Sequence, residues 1–146
     1  QTNKHSLNRR RKGRRPMSNY PEIWLRDSIT EATSAQVYPV QAPESAITPY
    51  IVYSRSGTER DLAMPTISRA PVAAFDLIVV TDSYMGGKEL AEQIRLKCNN
   101  FRGEYAGCSI TSCAILSQQD GSPEEKDGET TPNYVQELSF AVRYEE

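Results

Sequence analysis

From Val72 to Thr81 the chain reads VAAFDLIVVT, apolar almost throughout, and directly after it the pattern changes to apolar residues at three- and four-residue steps: Gly87, Leu90, Ala91, Ile94, Cys98 and Phe101. The first pattern predicts a strand inside a sheet, covered by helices on at least one face and interrupted only by Asp76. The second predicts an amphipathic helix capped by Asp82 or Ser83. Gly86 and Gly87 in its first turn each cost about 1 kcal/mol relative to Ala, so something other than propensity has to favour them.

Other segments repeat these two periods. Between Pro49 and Ser56, Tyr50, Val52 and Ser54 alternate with Ile51, Tyr53 and Arg55, which predicts a second long strand. Tyr134 to Tyr144 sets Leu138, Phe140, Val142 and Tyr144 against Glu137, Ser139, Ala141 and Arg143, so the sheet has one buried face and one more polar face. Gln36 to Val40 reads as a short strand closed by Pro39, and Ser109 to Gln118 as another that follows a turn marked by Gly103 and Gly107. Ahead of them a helix is expected from about Asn19 to Thr33, with Asn19 as cap, Pro21 in the first turn and Glu22 completing a capping box. Leu25, Ile29 and Ala32 form its apolar stripe, flanked by Trp24 as a packing residue. This order predicts an α+β fold: a mostly antiparallel sheet of four or five strands with two helices packed on one face.

The net charge of −2 is the sum of two unlike parts. Lys4, Arg9, Arg10, Arg11, Lys12, Arg14 and Arg15 give residues 1–16 a charge of +7 with no acid, which leaves ten basic side chains against 19 acidic ones, or −9, on residues 17–146. Leu7 is the one apolar side chain within QTNKHSLNRRRKGRRP, so this arm is expected to be extended and to take its order from a partner. Five Arg against two Lys suit bidentate contacts with phosphate or carboxylate, which fits either nucleic acid or an acidic protein surface; a solvated tail is the plain alternative. The 146 residues suffice for one domain over 17–146, and no run nears the roughly 20 apolar residues of a membrane span. The basic start lacks the apolar segment of a secretory signal, so export by that route is not expected.

Signals for chemistry are weak. Cys98, Cys108 and Cys113 have no CxxC spacing and His5 lies in the arm, so a zinc site is not expected. Gly86-Gly87-Lys88 lacks the rest of a phosphate-binding loop, and a nucleophilic triad would have to recruit His5. Asp76, Asp82 and Asp120 could in principle form a metal set, but read better as a strand-face residue, a cap and a turn residue. No catalytic, cofactor-binding or metal-ligating residue is therefore assigned. The long connections at 57–71 and 119–132 are exposed and charged, and with their flanks they supply candidate interface residues: Arg55, Glu59, Arg60, Asp61, Glu124, Glu125 and Asp127.

Val37-Tyr38-Pro39, PYIVYSRSGTERD at 49–61, FDLIVVTDSYMGGKELAEQIR at 75–95 and VQELSFAVRYEE at 135–146, in this order, resemble the tail-terminator, or tail-completion, proteins of long-tailed bacteriophages. The resemblance implies a structural virion protein of the neck: a homohexameric ring that caps the tail tube, ends its polymerisation and joins tail to head. It implies a tail tube protein on one face, a head-closure or connector protein on the other, DNA passing through the pore, and no catalytic residue or cofactor. The virion, and the host cytoplasm during assembly, are the implied locations. Another neck ring protein, a head-closure or adaptor protein, is the nearest alternative, and a nucleic-acid-binding regulator using the arm is the next. The arm and the acidic connection at 119–132 lie outside the resemblance.

Overall fold

Pro21 opens helix α1 (Pro21–Thr33) in the first turn, where its missing N–H leaves no bond unmade. The computed structural model describes residues 20–60, 71–122 and 133–145. Asn19, the expected cap, lies outside them; Tyr20 holds the N-cap position without a capping side-chain bond, and Glu22 is turned to Arg55 rather than to the helix start. The helix buries Pro21, Trp24, Leu25, Ser28 and Ile29, and ends at Ser34, whose left-handed backbone sends its N–H to Thr30 O at 2.9 Å.

Among the described residues six strands follow: β1 (Gln36–Pro39), β2 (Tyr50–Glu59), β3 (Val72–Thr81), β4 (Gly103–Tyr105), β5 (Cys108–Asp120) and β6 (Tyr134–Glu145), with helix α2 (Tyr84–Cys98) between β3 and β4. They form one sheet in the order β1-β2-β3-β6-β5-β4. The α+β expectation holds, but four or five strands is corrected to six, and the mostly antiparallel sheet is mixed by one parallel pair. The sixth strand is β4, which pairs with Cys108–Ile110 through a tight turn at Ala106 and Gly107, both at positive φ. Three residues are too few for a period to register, so only the turn glycines were legible. The sheet is mixed because β1 runs parallel to β2, Gln36 opposite Tyr50 and Pro39 opposite Tyr53, after residues 40–49 carry the chain back along the sheet.

Both helices lie on one face. Trp24, Leu25 and Ile29 of α1 and Ala91, Ile94 and Cys98 of α2 pack with Ile51, Phe75, Leu77, Val79, Leu138, Phe140 and Val142 of the sheet, nearly all of them fully buried. The apolar run of β3, interrupted only by Asp76, follows from its place between β2 and β6 and from a second, smaller cluster on the opposite face, where Tyr50, Val80 and Val135 meet Ala46 from the 40–49 connection. Cys98, Cys108 and Cys113 are buried and not disulfide-bonded. Burial pushes the thiols of Cys98 and Cys113 up to about 12, which leaves them un-ionised at neutral pH.

Ser83 caps α2, its Oγ accepting the Gly86 N–H at 3.2 Å. Packing explains one of the two glycines that follow. A Cβ on Gly87 would stand 2.9 Å from Thr81 Oγ1 and 3.4 Å from Gln136 Cγ, both on buried residues, whereas a Cβ on Gly86 would meet only Ser83, at 3.4 Å. Gly87→Ala is expected to destabilise by about 1–2 kcal/mol, overpacking outweighing the propensity gain, and Gly86→Ala to stabilise by up to about 1 kcal/mol. Thermal unfolding of the two variants should therefore shift in opposite directions, and equal shifts would refute the packing account.

Candidate interaction surface

The register of the sheet assigns every second side chain to the face away from the helices. On β3 these are Val72, Ala74, Asp76, Ile78 and Val80; opposite them on β6 stand Arg143, Ala141, Ser139, Glu137 and Val135, and β5 adds Ser112, Ala114, Ser117 and Gln119. No helix covers this face among the described residues, which explains its small and hydroxylated side chains. Asp76 accepts a hydrogen bond from Ser139 at 2.9 Å across the strand pair. By register, Glu59, Asp76, Glu137 and Glu145 share the face with Arg143, a net acidic surface.

At the start of α2, side chains from three elements converge. Asp120 ends β5 and accepts from Gln136 Nε2 at 2.6 Å, Tyr84 OH at 2.9 Å and Lys88 Nζ at 3.2 Å. These bonds, in that order, hold its carboxyl below the usual carboxylate range. The Lys88 ammonium also lies 4.9 Å from the centre of the Tyr84 ring, and Tyr84 meets Tyr134 edge to face at 6.0 Å. Met85 beside them is 62% exposed. Aromatic rings and a methionine held on the surface by a polar network have the composition of a protein-binding patch.

The residues assigned from sequence distribute unevenly. Arg55 is not in the 57–71 connection but within β2, on the helix face, where Nη2 and Nε reach the two Glu22 carboxylate oxygens at 2.7 and 3.1 Å and Nη1 donates to Tyr144 OH at 3.0 Å. Its guanidinium lies 5.4 Å from the ring centres of both Phe75 and Tyr144. Burial opposes the charge, but the bonds to Glu22 and Tyr144 outweigh it and raise the Arg55 pKa. Glu59 ends β2 and Arg60 follows it, both exposed. Asp61, Glu124, Glu125 and Asp127, and the whole arm with Lys4, Arg9, Arg10, Arg11, Lys12, Arg14 and Arg15, lie outside the described residues.

Asp76, Asp82 and Asp120 do not form a metal set: among the described residues no three His, Cys, Asp or Glu side chains are grouped to hold an ion. Asp82 is exposed, and the cap is Ser83. No helix of the described residues is long and apolar enough to cross a membrane. The Tyr84–Lys88–Asp120 network has no local sequence signature, because Asp120 lies 36 residues from Tyr84 and 32 from Lys88. Only the exposed aromatic at the helix start was a local signal.

No family model and no curated protein matches the sequence. The fold does have solved counterparts. A chain in the virion of a native gene transfer agent particle superposes with a TM-score of 0.57 over 81% of this chain and 84% of that one, at 16% identity. A second solved chain gives 0.50 over 84% and 88%, also at 16% identity. At this identity the likeness is one of fold, and it extends over most of each chain.

Proposed function

We propose that the protein is a structural component of a phage-type virion, a ring-forming tail-terminator protein of the neck. The observation that carries this reading is the fold shared, over four-fifths of the chain, with a chain of a gene transfer agent virion. The tail-terminator-like segments at 37–39, 49–61, 75–95 and 135–146 support it from the sequence side, and they fall on β1, β2, β3 with α2, and β6. In this reading copies of the chain, six by the resemblance, form a ring that stops the tail tube on one side and receives a head-closure or connector protein on the other. The acidic open face of the sheet is assigned to the pore, where like charge keeps DNA phosphates from adhering during passage. The +7 arm is assigned as a strap to an acidic neighbour, a contact that salt should weaken.

Electron microscopy of the purified protein, alone and added to polymerising tail tubes, tests both assignments. Rings of uniform diameter with a central pore, and tubes that end in them, are expected. Deleting residues 1–16 should leave the rings and weaken head joining and its salt sensitivity. A protein that stays monomeric and leaves tube growth unaltered would overturn the reading.

A further inference from the structure

The carboxylates of the two helices fall into two groups. Glu22 is paired with Arg55, Asp27 with Arg26, Glu31 with Lys97 and Glu92 with Arg95. Asp82, just before α2, and Glu89, in its second turn, are exposed and have no cation partner among the described residues. Both stand on the rim of one cleft of about 250 Å³, walled by Pro49, Gly86 and Leu90, with Gln93 also at its edge. Ile47, two residues before Pro49, is 79% exposed, and Met85 beside Gly86 is exposed as well. An open apolar cleft rimmed by unpaired carboxylates fits a segment that carries an apolar side chain between cations.

The arm is such a segment. Leu7 is its one apolar side chain, with Lys4 three residues before it, Arg9 and Arg10 two and three after it, and no acid in residues 1–16. In an extended chain those cations lie roughly 7–10 Å from Leu7, near enough to reach the rim on either side of a seated leucine. An apolar cavity of about 150 Å³ admits benzene, so the cleft has room for a leucine side chain.

The place of the cleft along the molecule decides which copy supplies the arm. Tyr50 pairs with Val80 and Thr81 with Tyr134, so the cleft lies at the end where β2 and β6 begin and β3 finishes. The arm joins the opposite end: it precedes α1, whose Glu22 bonds Arg55, and Arg55 bonds Tyr144 near the finish of β6. The ten residues of β3 span roughly 33 Å between these ends. Leu7 is 13 residues from Tyr20 and reaches at most about 45 Å. Within one chain the arm would have to run nearly straight along the molecule, with the entropy loss of ordering most of its residues. A second copy whose arm-bearing end faces the cleft brings Leu7 there without that stretch. A basic arm at one end and an acid-rimmed cleft at the other make a head-to-tail contact, which repeats from copy to copy.

We infer that the arm of one copy docks on the next, with Leu7 in the Pro49–Leu90 cleft and the flanking cations on Asp82 and Glu89. The inference rests on the strap assignment above and makes the acidic neighbour a second copy of this chain.

The double variant Leu7→Cys/Gln93→Cys of the full chain tests the contact, since all three native thiols are buried. Under mild oxidation at low salt it should give a ladder of covalent dimers and higher species on non-reducing gels. The ladder should form at least tenfold faster than with Leu7→Cys/Ser112→Cys, whose second thiol lies on the open face of the sheet. Adding Asp82→Asn and Glu89→Gln, both at exposed positions, should slow the ladder at least tenfold while leaving thermal unfolding nearly unchanged, and raised salt should act in the same direction. A disulfide confined to single chains, or one that forms equally fast with Ser112→Cys, would overturn this contact and leave the ring reading standing. So would rings seen by electron microscopy in a double variant that gives no ladder. A ladder from a chain that forms no rings would uphold the contact and overturn the ring.

Discussion

Trp24→Ala is expected to lower the unfolding free energy by about 3–5 kcal/mol and the melting temperature by on the order of 10 °C. Trp24 is 1% exposed and sits where α1, the sheet and the segment after α2 meet, its ring 4.9 Å from that of Phe101. Truncation leaves a cavity that α1 cannot collapse into, because Leu25 and Ile29 beside it are already packed on the sheet. Trp24→Phe keeps the ring contact and leaves the other core partners in place, so it should cost much less, about 1–1.5 kcal/mol. The indole N–H has no hydrogen-bond partner among the described residues, so this swap forfeits no such bond. Denaturant unfolding of the two variants decides the matter: a loss below about 1 kcal/mol for Trp24→Ala would mean that α1 contributes little to the core.

The second large effect is expected at Arg55. Its side chain is 21% exposed and that of Glu22 30%, so the pair is only partly desolvated and the full 3–5 kcal/mol of a buried pair has to be discounted. Arg55→Ala should cost about 2–3 kcal/mol, part from the Glu22 carboxylate left without its fork and part from lost packing on the Phe75 and Tyr144 rings. Arg55→Lys should recover little of it, since an ammonium cannot make two parallel bonds to one carboxylate. A double-mutant cycle with Glu22→Gln should return a coupling of about 1–2 kcal/mol. Coupling near zero would make the aromatic contacts, not the ion pair, the link between α1 and the sheet.

These two positions also show what could be read from the chain by itself. Trp24, beside the Leu25 and Ile29 stripe, was legible as packing because helical period is a local property. The same holds for β3, α2 and β6, whose lengths of 10, 15 and 12 residues let a period show itself. Arg55 lay in a strand pattern next to a charged connection, and nothing local distinguishes a guanidinium that folds inward onto a helix 33 residues earlier from one that faces solvent. Glu22 misled for the same reason: the capping-box spacing is local, its actual partner is not. The parallel pairing of β1 with β2 depends on the path of residues 40–49, which no period encodes. The candidate surface was the least legible, because Tyr84, Lys88 and Asp120 become meaningful together only once the sheet order is known.

That sheet order also bears on how the molecule comes into being. Among the described residues β6 is the last strand in chain order, yet it lies between β3 and β5. During synthesis, α1, the β1–β2–β3 half and the β4–β5 hairpin all emerge before the strand that joins them. Until Tyr134–Glu145 arrives, β3 and β5 each present an open side to solvent, and β5 does so without a charged residue before Asp120. A chain that lacks this strand therefore carries two half-sheets with unpaired margins, the kind of exposed edge through which partly folded chains aggregate.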